Sequence, residues 1–262
     1  MSDWIHNLPV PSMALVIFGF TYLLAAAIFA AVSALATEGR AQSFKVISPG
    51  MLPVLGILFG LFVAFTAAQV WADNDHASAA VSREASALRA VTLLAAGLPA
   101  EQQARLVASV RSYVEQAATV EWPMMAHETA SLRTAPAPLA EALQRVVAMT
   151  PTGAGQQTAQ REIITALDSA LDARRQRIIV SETEVNAVKW WCLFLQAACE
   201  LIVIALVHCD NRLASSIALG LFATGVATSV LLIAAHDRPF IGQISVGPGP
   251  LLQIMPGEGA KP

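Results

Sequence analysis

The segment from Leu52 to Trp71 constrains the fold more than any other part of this chain. It carries no charged residue and ends on a tryptophan. About twenty apolar residues in a helix are enough to cross the hydrocarbon core of a bilayer, and a terminal tryptophan suits the interface. Three further segments have the same character: Met13 to Leu35, Trp190 to Val207 and Leu213 to Ala235. The sequence therefore predicts an all-α integral membrane protein with four transmembrane helices.

The composition agrees with a membrane protein. Of 262 residues, 55% are hydrophobic and only 13% are charged, whereas about a quarter of the residues in a soluble domain are charged. The net charge of -3 gives no basic excess, so we expect no nucleic acid partner. The first apolar segment has no basic residues before it and exceeds the apolar core of a signal peptide, so we expect it to remain as a helix.

Four regions follow from the distribution of polar residues. The predicted regions are an N-terminal pair of transmembrane helices (1–71), a helical soluble domain (72–188), a C-terminal pair of transmembrane helices (189–236) and a Gly/Pro-rich tail (237–262). The composition of the tail predicts that it is not helical.

The soluble region is rich in alanine, leucine, glutamine, glutamate and arginine, which favour helices. We expect a first helix from Ala77 to Ala96 that ends at Gly97, and a second helix beginning after Pro99. A third is predicted from Leu139 to Met149. A long helix from about Gln157 towards Asn186 is predicted to run almost continuously into the third transmembrane helix.

A short motif, Glu121-Trp122-Pro123, interrupts the helical pattern. Because proline disfavours helix at the residue before it, the motif predicts a turn between two helices, with the indole of Trp122 buried as an anchor. Farther along, Arg174 and Arg177 lie one turn apart. They are predicted to pair with acids of neighbouring helices, to meet anionic headgroups, or to lie on a solvated face.

The positive charges near the apolar segments predict the orientation. With four spans, both termini and the soluble region share one side, which carries seven basic residues close to the membrane: Arg83, Arg89, Arg174, Arg175, Arg177, Lys189 and Arg238. The other side carries Arg40, Lys45 and Arg212. The positive-inside rule therefore places the termini and the helical domain in the cytoplasm.

Glu200 is the one formal charge inside the four apolar segments. An ionisable group in the middle of a span is costly unless it faces protein, a partner or water. Helical spacing puts Gln196 on the same face as Cys192 and Cys199, and Gln196 and Glu200 then form a polar stripe. Two interpretations stay open: an ion or proton pathway, and a protonated glutamate that is hydrogen-bonded between helices.

The second apolar segment has two helical stripes. Phe59, Phe62 and Phe65 form an aromatic stripe, and a second stripe has mostly smaller residues: Ile57, Gly60, Leu61, Ala64 and Ala68. An apolar ring in an oligomer can gate ions by dewetting, while ordinary helix packing and lipid contact explain the same stripes.

No enzyme motif or cofactor fingerprint is present in the sequence, so we expect no catalysis and no cofactor. Asp73, Asp75 and His76 lie just beyond Trp71, but their spacing lacks a calcium-loop pattern and favours a solvated cluster over a metal site. The three cysteines lie in or beside the third apolar segment, which argues against a disulfide framework.

Three pieces of the chain together resemble one family. They are Ser48-Pro49 followed by FGLFVAFTAAQVW (59–71), Glu121-Trp122-Pro123, and AAHDRPFIGQISV (234–246). In order and spacing they are similar to the bacterial bestrophin-like membrane proteins, four-span proteins that distantly resemble the bestrophin chloride channels. The last piece contains Asp237 and then Pro239, Phe240 and Gly242, and these last three match the Pro-Phe-Gly turn after the last span of bestrophins with Ile241 inserted.

The resemblance implies a homo-oligomeric ion channel of a bacterial inner membrane, a ring such as a pentamer. Bestrophins line a hydrophobic neck with their second span, and the matching residues here are Pro53, Ile57 and Leu61. Where bestrophins continue with acids that bind calcium, this chain has Gln243-Ile244-Ser245-Val246, so calcium activation is not implied. The alternative is a non-conducting membrane sensor or scaffold whose helical domain binds a partner. The oligomeric state distinguishes the two, since a channel requires a closed ring, whereas a monomer or dimer indicates the sensor or scaffold.

Overall fold

The computed structural model describes residues 8–36, 44, 50–133 and 135–255. Their contacts form two compact units, one within 1–72 and 184–244, the other within 73–183 and 245–262.

All regular elements in these described ranges are helical. In chain order, the α-helices are α1 (Val10–Leu35), α2 (Met51–Leu94), α3 (Ala100–Gln116), α4 (Trp122–Ala126), α5 (Ala137–Val147), α6 (Ala154–Ser181), α7 (Ala187–Val207), α8 (Arg212–His236) and α9 (Gly249–Leu252). A short 3₁₀ turn covers Ala95–Gly97, and a π-helical turn covers Ala117–Glu121.

Four helices are long and apolar enough to cross a membrane: α1, α2, α7 and α8. This confirms the all-α prediction and the four candidate spans. Two of them begin at side-chain caps, since Asn186 accepts a hydrogen bond from the Val188 N–H (2.9 Å) and Asn211 accepts one from the Ala214 N–H (3.0 Å). Such caps satisfy N–H groups that lack a partner within the helix.

The core of the first unit is built from one face of each of these helices. Its buried residues include Met13 and Ile17 of α1, Phe59, Ala67 and Val70 of α2, Leu193 and Ala197 of α7, and Val226, Val230 and Ile233 of α8. Large apolar side chains on the opposite faces, such as Leu23, Leu195 and Leu221, are exposed. An apolar outer surface is what a lipid-facing bundle requires.

The predicted break between the second apolar segment and a separate helix from Ala77 is wrong. Helix α2 continues without a break to Leu94 and includes most of the helix that was predicted separately from Ala77. No glycine or proline lies between Trp71 and Ala77, so nothing in this stretch forces the backbone out of helix. The helix ends where Gly97 and Pro99 interrupt it, as predicted.

The predicted continuation of the long helix into the third span is also wrong. Helix α6 ends at Ser181, and residues 182–186 separate it from α7. The N–H of Val185 donates to Oδ1 of Asp237 (2.7 Å) instead of to a carbonyl one turn earlier. Because Asn186 then caps α7, the chain restarts a helix rather than continuing one.

The predicted turn at Glu121-Trp122-Pro123 is not a turn. The chain passes from α3 through the π-helical turn directly into α4. Pro123 lies in the first turn of α4, where its missing N–H costs nothing, and the π turn absorbs the change in hydrogen-bond register. The buried indole is as expected: Trp122 is buried and its Nε1–H donates to the carbonyl of Val246 (3.0 Å).

The tail is not free of helix either. Gly249–Leu252 forms the single turn of α9, with Pro250 at its start and Leu251 fully buried. Proline is tolerated in a first turn, so the Gly/Pro-rich composition did not exclude a short helix.

Candidate functional site

The outward face of α2 is the first candidate site. Pro53, Ile57, Leu61, Ala64 and Ala68 recur at helical spacing and are exposed, with Ile57 69% and Leu61 50% exposed. We call these five residues the α2 face. The three residues that match the bestrophin neck therefore lie on one apolar strip that the described part of this chain leaves uncovered.

The inward face of α2 joins the core. Phe59 is buried and its ring centroid lies 5.6 Å from that of Phe222 on α8, while Phe62 is half-buried. Phe65 is instead 68% exposed. The predicted aromatic stripe is thus divided between the core and the outer surface, because residues spaced by three drift around a helix that turns every 3.6 residues.

Glu200 lies on the buried side of α7. It is 3% exposed, and its Oε2 atom has no hydrogen-bond partner among the described residues. The same is true of Oε1 of Gln196, one turn earlier on α7. The expected polar stripe is therefore present, but no helix of the described chain supplies a donor to either oxygen. Cys192 is half-buried and Cys199 is exposed, and both are free thiols.

A glycine of α2 accommodates the Glu200 carboxyl group. A Cβ atom placed on Gly56 would lie 3.4 Å from Oε1 of Glu200, at van der Waals contact. Glycine at this position lets the carboxyl approach the backbone of α2. Gly56 adjoins Ile57, so the buried carboxyl contacts the same helical turn that carries Ile57 of the α2 face.

The segment after α8 is a structural junction within the first unit. Asp237, Arg238, Pro239 and Phe240 are all buried, and Gly242 adopts a positive φ of 88° that favours glycine. Arg238 pairs with Glu184 at 2.7 Å. Burial raises the pKa of Asp237 to about 6, although its hydrogen bond from Val185 opposes that shift.

A buried ionic network in the second unit confirms one of the predicted alternatives for Arg174 and Arg177, pairing with acids of neighbouring helices. That Glu84 and Glu121 are the partners was not predicted. Arg177 is fully buried and donates to Glu84 (Nε to Oε2, 2.7 Å) and to Glu121 (Nη2 to Oε2, 2.9 Å). Arg174 donates to the other oxygen of Glu121 (Nε to Oε1, 2.9 Å), and the Tyr113 hydroxyl donates to Glu84. We call Glu84, Tyr113, Glu121, Arg174 and Arg177 the ionic network.

Aromatic and sulfur atoms complete the surroundings of Arg177. Its guanidinium carbon lies 4.5 Å from the ring centroid of Trp122, and Nη1 lies 3.2 Å from the sulfur of Met125. A cation over an indole is stabilised by the ring quadrupole. The glutamate and tryptophan of the Glu121-Trp122-Pro123 motif thus both contact one buried arginine.

The network shifts the pKa values of Glu121 and Tyr113 in opposite directions. Burial opposes ionisation of Glu121, but the hydrogen bond from Arg174 and the charge of Arg177 keep its pKa below the ordinary value. Burial and the neighbouring charge of Glu84 raise the pKa of Tyr113 well above its usual range, so the phenol stays neutral. Two arginines balance two glutamates, which indicates a structural role rather than an ion-binding one.

The remaining predicted features are the polar cluster after Trp71 and the Ser48-Pro49 pair. Asp73 is half-buried, whereas Asp75 and His76 are exposed on α2. Within the described residues, no group of three or more His, Cys, Asp or Glu side chains could hold a metal ion. Ser48 and Pro49 lie outside the residues that the structure describes.

Four candidate spans, an uncovered apolar helix face and a carboxyl buried between helices define an all-α membrane protein with a helical domain inserted between two pairs of spans. The family model of the bestrophin-like domain matches residues 19–251, and the chain belongs to this family. The match confirms the resemblance read from the sequence. Comparison with curated proteins and with solved structures gave no match.

Proposed function

We propose that this protein is a homo-oligomeric ion channel of a bacterial inner membrane. The observation that carries the proposal is the α2 face, a continuous apolar strip on the helix that corresponds to the neck helix of bestrophins. Inorganic ions are the proposed permeant species, conduction rather than catalysis is the proposed activity, and neither a cofactor nor nucleic acid takes part.

The chemistry of the α2 face suits a narrow pore. Ile57 and Leu61 are large and apolar, so a ring of copies would form a hydrophobic constriction that excludes water when narrow. A closed ring around an axis is the assembly that such a face requires. In this arrangement Pro53, Ile57 and Leu61 form successive layers of the neck, one helical turn apart.

The proposed orientation places both termini and the second unit in the cytoplasm. It rests on the excess of arginine and lysine near the membrane on that side, including Arg83, Arg89, Arg175 and Lys189. Cysteines introduced one at a time at Ser86 and at Asp210, in a chain whose three native cysteines are replaced by alanine, test it by labelling with a membrane-impermeant reagent in intact cells. Labelling at Asp210 alone is the expected result.

Ion flux into liposomes tests the channel itself. Purified wild type, Leu61→Ala and the control Leu221→Ala are compared under opposed chloride and potassium gradients, which also give the sign of the ion. Leu221 is a matched control because it is equally apolar and 71% exposed, but lies on α8. If Leu61 forms the constriction, lowering the barrier by about 1 kcal/mol raises flux about fivefold.

Two other outcomes of this experiment would contradict the neck assignment or the channel itself. Equal flux for Leu61→Ala and Leu221→Ala would remove the neck assignment while leaving conduction intact. Absence of flux in all three proteins, with correct insertion and a monomeric or dimeric state, would favour a non-conducting sensor or scaffold that binds a partner through its helical domain.

A further inference from the structure

The Glu200 carboxyl group has no positively charged partner among the described residues. Oε2 of Glu200 and Oε1 of Gln196 are buried acceptors on successive turns of α7, without a hydrogen-bond donor in the described part of the chain. A buried acceptor without a donor is destabilising, and an unpaired buried carboxylate is considerably more so. Something outside the described contacts must supply a proton or a positive charge.

No basic side chain of the surrounding helices is placed to do so. Residues 10–35 of α1 and 51–72 of α2 contain no ionisable group other than Tyr22, which shares a hydrogen bond with Thr224. On α7, Lys189 lies about 16 Å away along the axis and donates to Gln69. His208 lies about 12 Å away, and its ring nitrogen is hydrogen-bonded to the carbonyl of Ile204.

The charges of α8 lie at its two ends. Arg212 is the first residue of that helix, and His236 is the last, with a ring nitrogen bonded to the carbonyl of Leu232. Next to Glu200 along α7, Leu201 and Ile204 belong to a hydrophobic cluster that also contains Leu219 and Ala223 of α8. The carboxyl therefore lies in a region of low polarity with two oxygen acceptors and no counter-charge from the described residues.

We infer that Glu200 and Gln196 form an intramembrane binding site for a small monovalent cation, with Gly56 providing the space for the carboxyl group. Carboxylate and amide oxygens are hard ligands, and both a proton and an alkali metal ion satisfy them. A bound proton converts one carboxyl oxygen into a donor, and a bound metal ion is coordinated by both acceptors. The site stands whether or not the protein conducts ions.

The position of Gly56 gives the site a direct neighbour on α2. Occupation changes the charge beside the backbone of the turn that carries Ile57. With the cation bound, the turn faces a neutral group; without it, the turn faces an unpaired negative charge. The site is thus placed to make the packing of α2 depend on pH or on the alkali cation concentration.

Infrared spectroscopy of the reconstituted protein tests the site directly. The C=O stretch of a protonated carboxyl group is recorded from about pH 5 to about pH 9, first in choline buffer and then with sodium or potassium. The wild type is compared with Glu200→Gln and with the control Glu184→Gln, whose carboxyl group is partly exposed. We expect one carboxyl band to disappear in Glu200→Gln and to persist in Glu184→Gln.

The arms of the experiment separate the two cations. A band that is lost with rising pH, at the same pH in every buffer, identifies a proton site. A band that sodium or potassium displaces towards lower pH identifies a site that an alkali ion shares. If no band depends on Glu200 at any pH and no cation alters the spectrum, the inference is wrong.

A second variant keeps the test valid if Glu200→Gln does not fold. Gln196→Leu leaves the carboxyl in place but removes the amide oxygen. If both residues form the site, Gln196→Leu shifts the pH at which the Glu200 band is lost, or abolishes the response of that band to sodium. An unchanged band and an unchanged cation response in Gln196→Leu would overturn the two-residue site.

Discussion

At the scale of single residues, the most constrained side chain is Arg177. It is fully buried, bonds two carboxylates and lies against an indole. The charges of the ionic network balance, so the burial of each depends on the presence of the others. A buried pair adds little over an apolar replacement of both partners, but removal of one partner leaves an uncompensated charge.

Replacing Arg177 alone should therefore be strongly destabilising. We expect Arg177→Met to lower the free energy of unfolding by about 3–5 kcal/mol, because Glu84 and Glu121 lose their counter-charge. Arg105→Met is the matched control, since its pairing with Glu101 is exposed and worth at most about 1 kcal/mol. Denaturant unfolding of the full chain in detergent measures both. Equal losses for the two variants would contradict the role of burial.

At the scale of elements, the junction after α8 holds the start of α7 in place. Asp237 accepts a hydrogen bond from the backbone of Val185, and Arg238 pairs with Glu184, so two consecutive residues hold the 182–186 segment. These contacts explain why α6 and α7 are separate helices. The Asp-Arg-Pro-Phe segment is thus a structural connection, and none of its residues lies on the α2 face.

The raised pKa of Asp237 makes this junction sensitive to pH. A carboxyl group with a folded pKa of about 6 and an unfolded value of 3.8 binds more protons in the folded state. Its stabilising contribution is complete below about pH 4 and is lost as the pH rises through about 6. Asp237→Asn keeps an acceptor for Val185 without the charge, so it should be about 1–3 kcal/mol more stable than the wild type at pH 8.

Thermal unfolding of both proteins between about pH 4 and about pH 8 measures this difference. The gain should shrink towards pH 4, where Asp237 is protonated in the folded state and the pH approaches the unfolded pKa of 3.8. A constant difference across the range would show that the charge of Asp237 is not responsible. Glu182→Gln, at the end of α6, serves as the control and should leave the pH profile unchanged.

The sequence predicted the elements better than it predicted their limits. Apolar length alone identified four spans, because crossing a bilayer demands about twenty apolar residues whatever the tertiary contacts. The end of α2 was missed because Ala72 to His76 contains polar residues but no helix breaker. The break before α7 was missed because it depends on Asp237, fifty-two residues away in the chain.

The candidate site residues, like the elements, were predicted from the sequence only in part. Glu200 was identified because a charge within an apolar segment is visible in a single sequence. Pairing with acids was one predicted alternative for Arg174 and Arg177, but the partners were missed because Glu84 and Arg177 are ninety-three residues apart and neither lies in a local pattern that indicates the other. The predictions of a turn at Pro123 and of a tail without helix at Pro250 were wrong. Both prolines lie in the first turn of a helix, where proline is compatible with helix.

At the scale of the whole molecule, the central question is what covers the α2 face. The apolar faces of α1, α7 and α8 that point outward are typical of lipid contact. The α2 face differs because it combines large residues near Met51 with alanines towards Trp71, a gradient that suits helices converging about an axis. Homo-oligomerisation is therefore the assembly we propose.

Disulfide trapping tests this assembly. In a chain whose three native cysteines are replaced by alanine, Leu61→Cys should form covalent dimers on mild oxidation in membranes. Copies of one residue around a narrow axis come within the roughly 5.5 Å Cα separation that a disulfide needs. Leu221→Cys, on the outer face of α8, should remain monomeric. Trapping at Leu221 and not at Leu61 would reverse the proposed packing.

The ionic network also shapes how this chain can change over generations. Four charged residues from α2, α6 and the π-helical turn depend on one another. A substitution at any one of them leaves its partner buried without a counter-charge and destabilises the fold. Tolerated changes must then come in compensating sets. Among relatives, a chain that has lost Arg177 is expected to have lost the Glu84 carboxylate as well, and these distant positions should vary together.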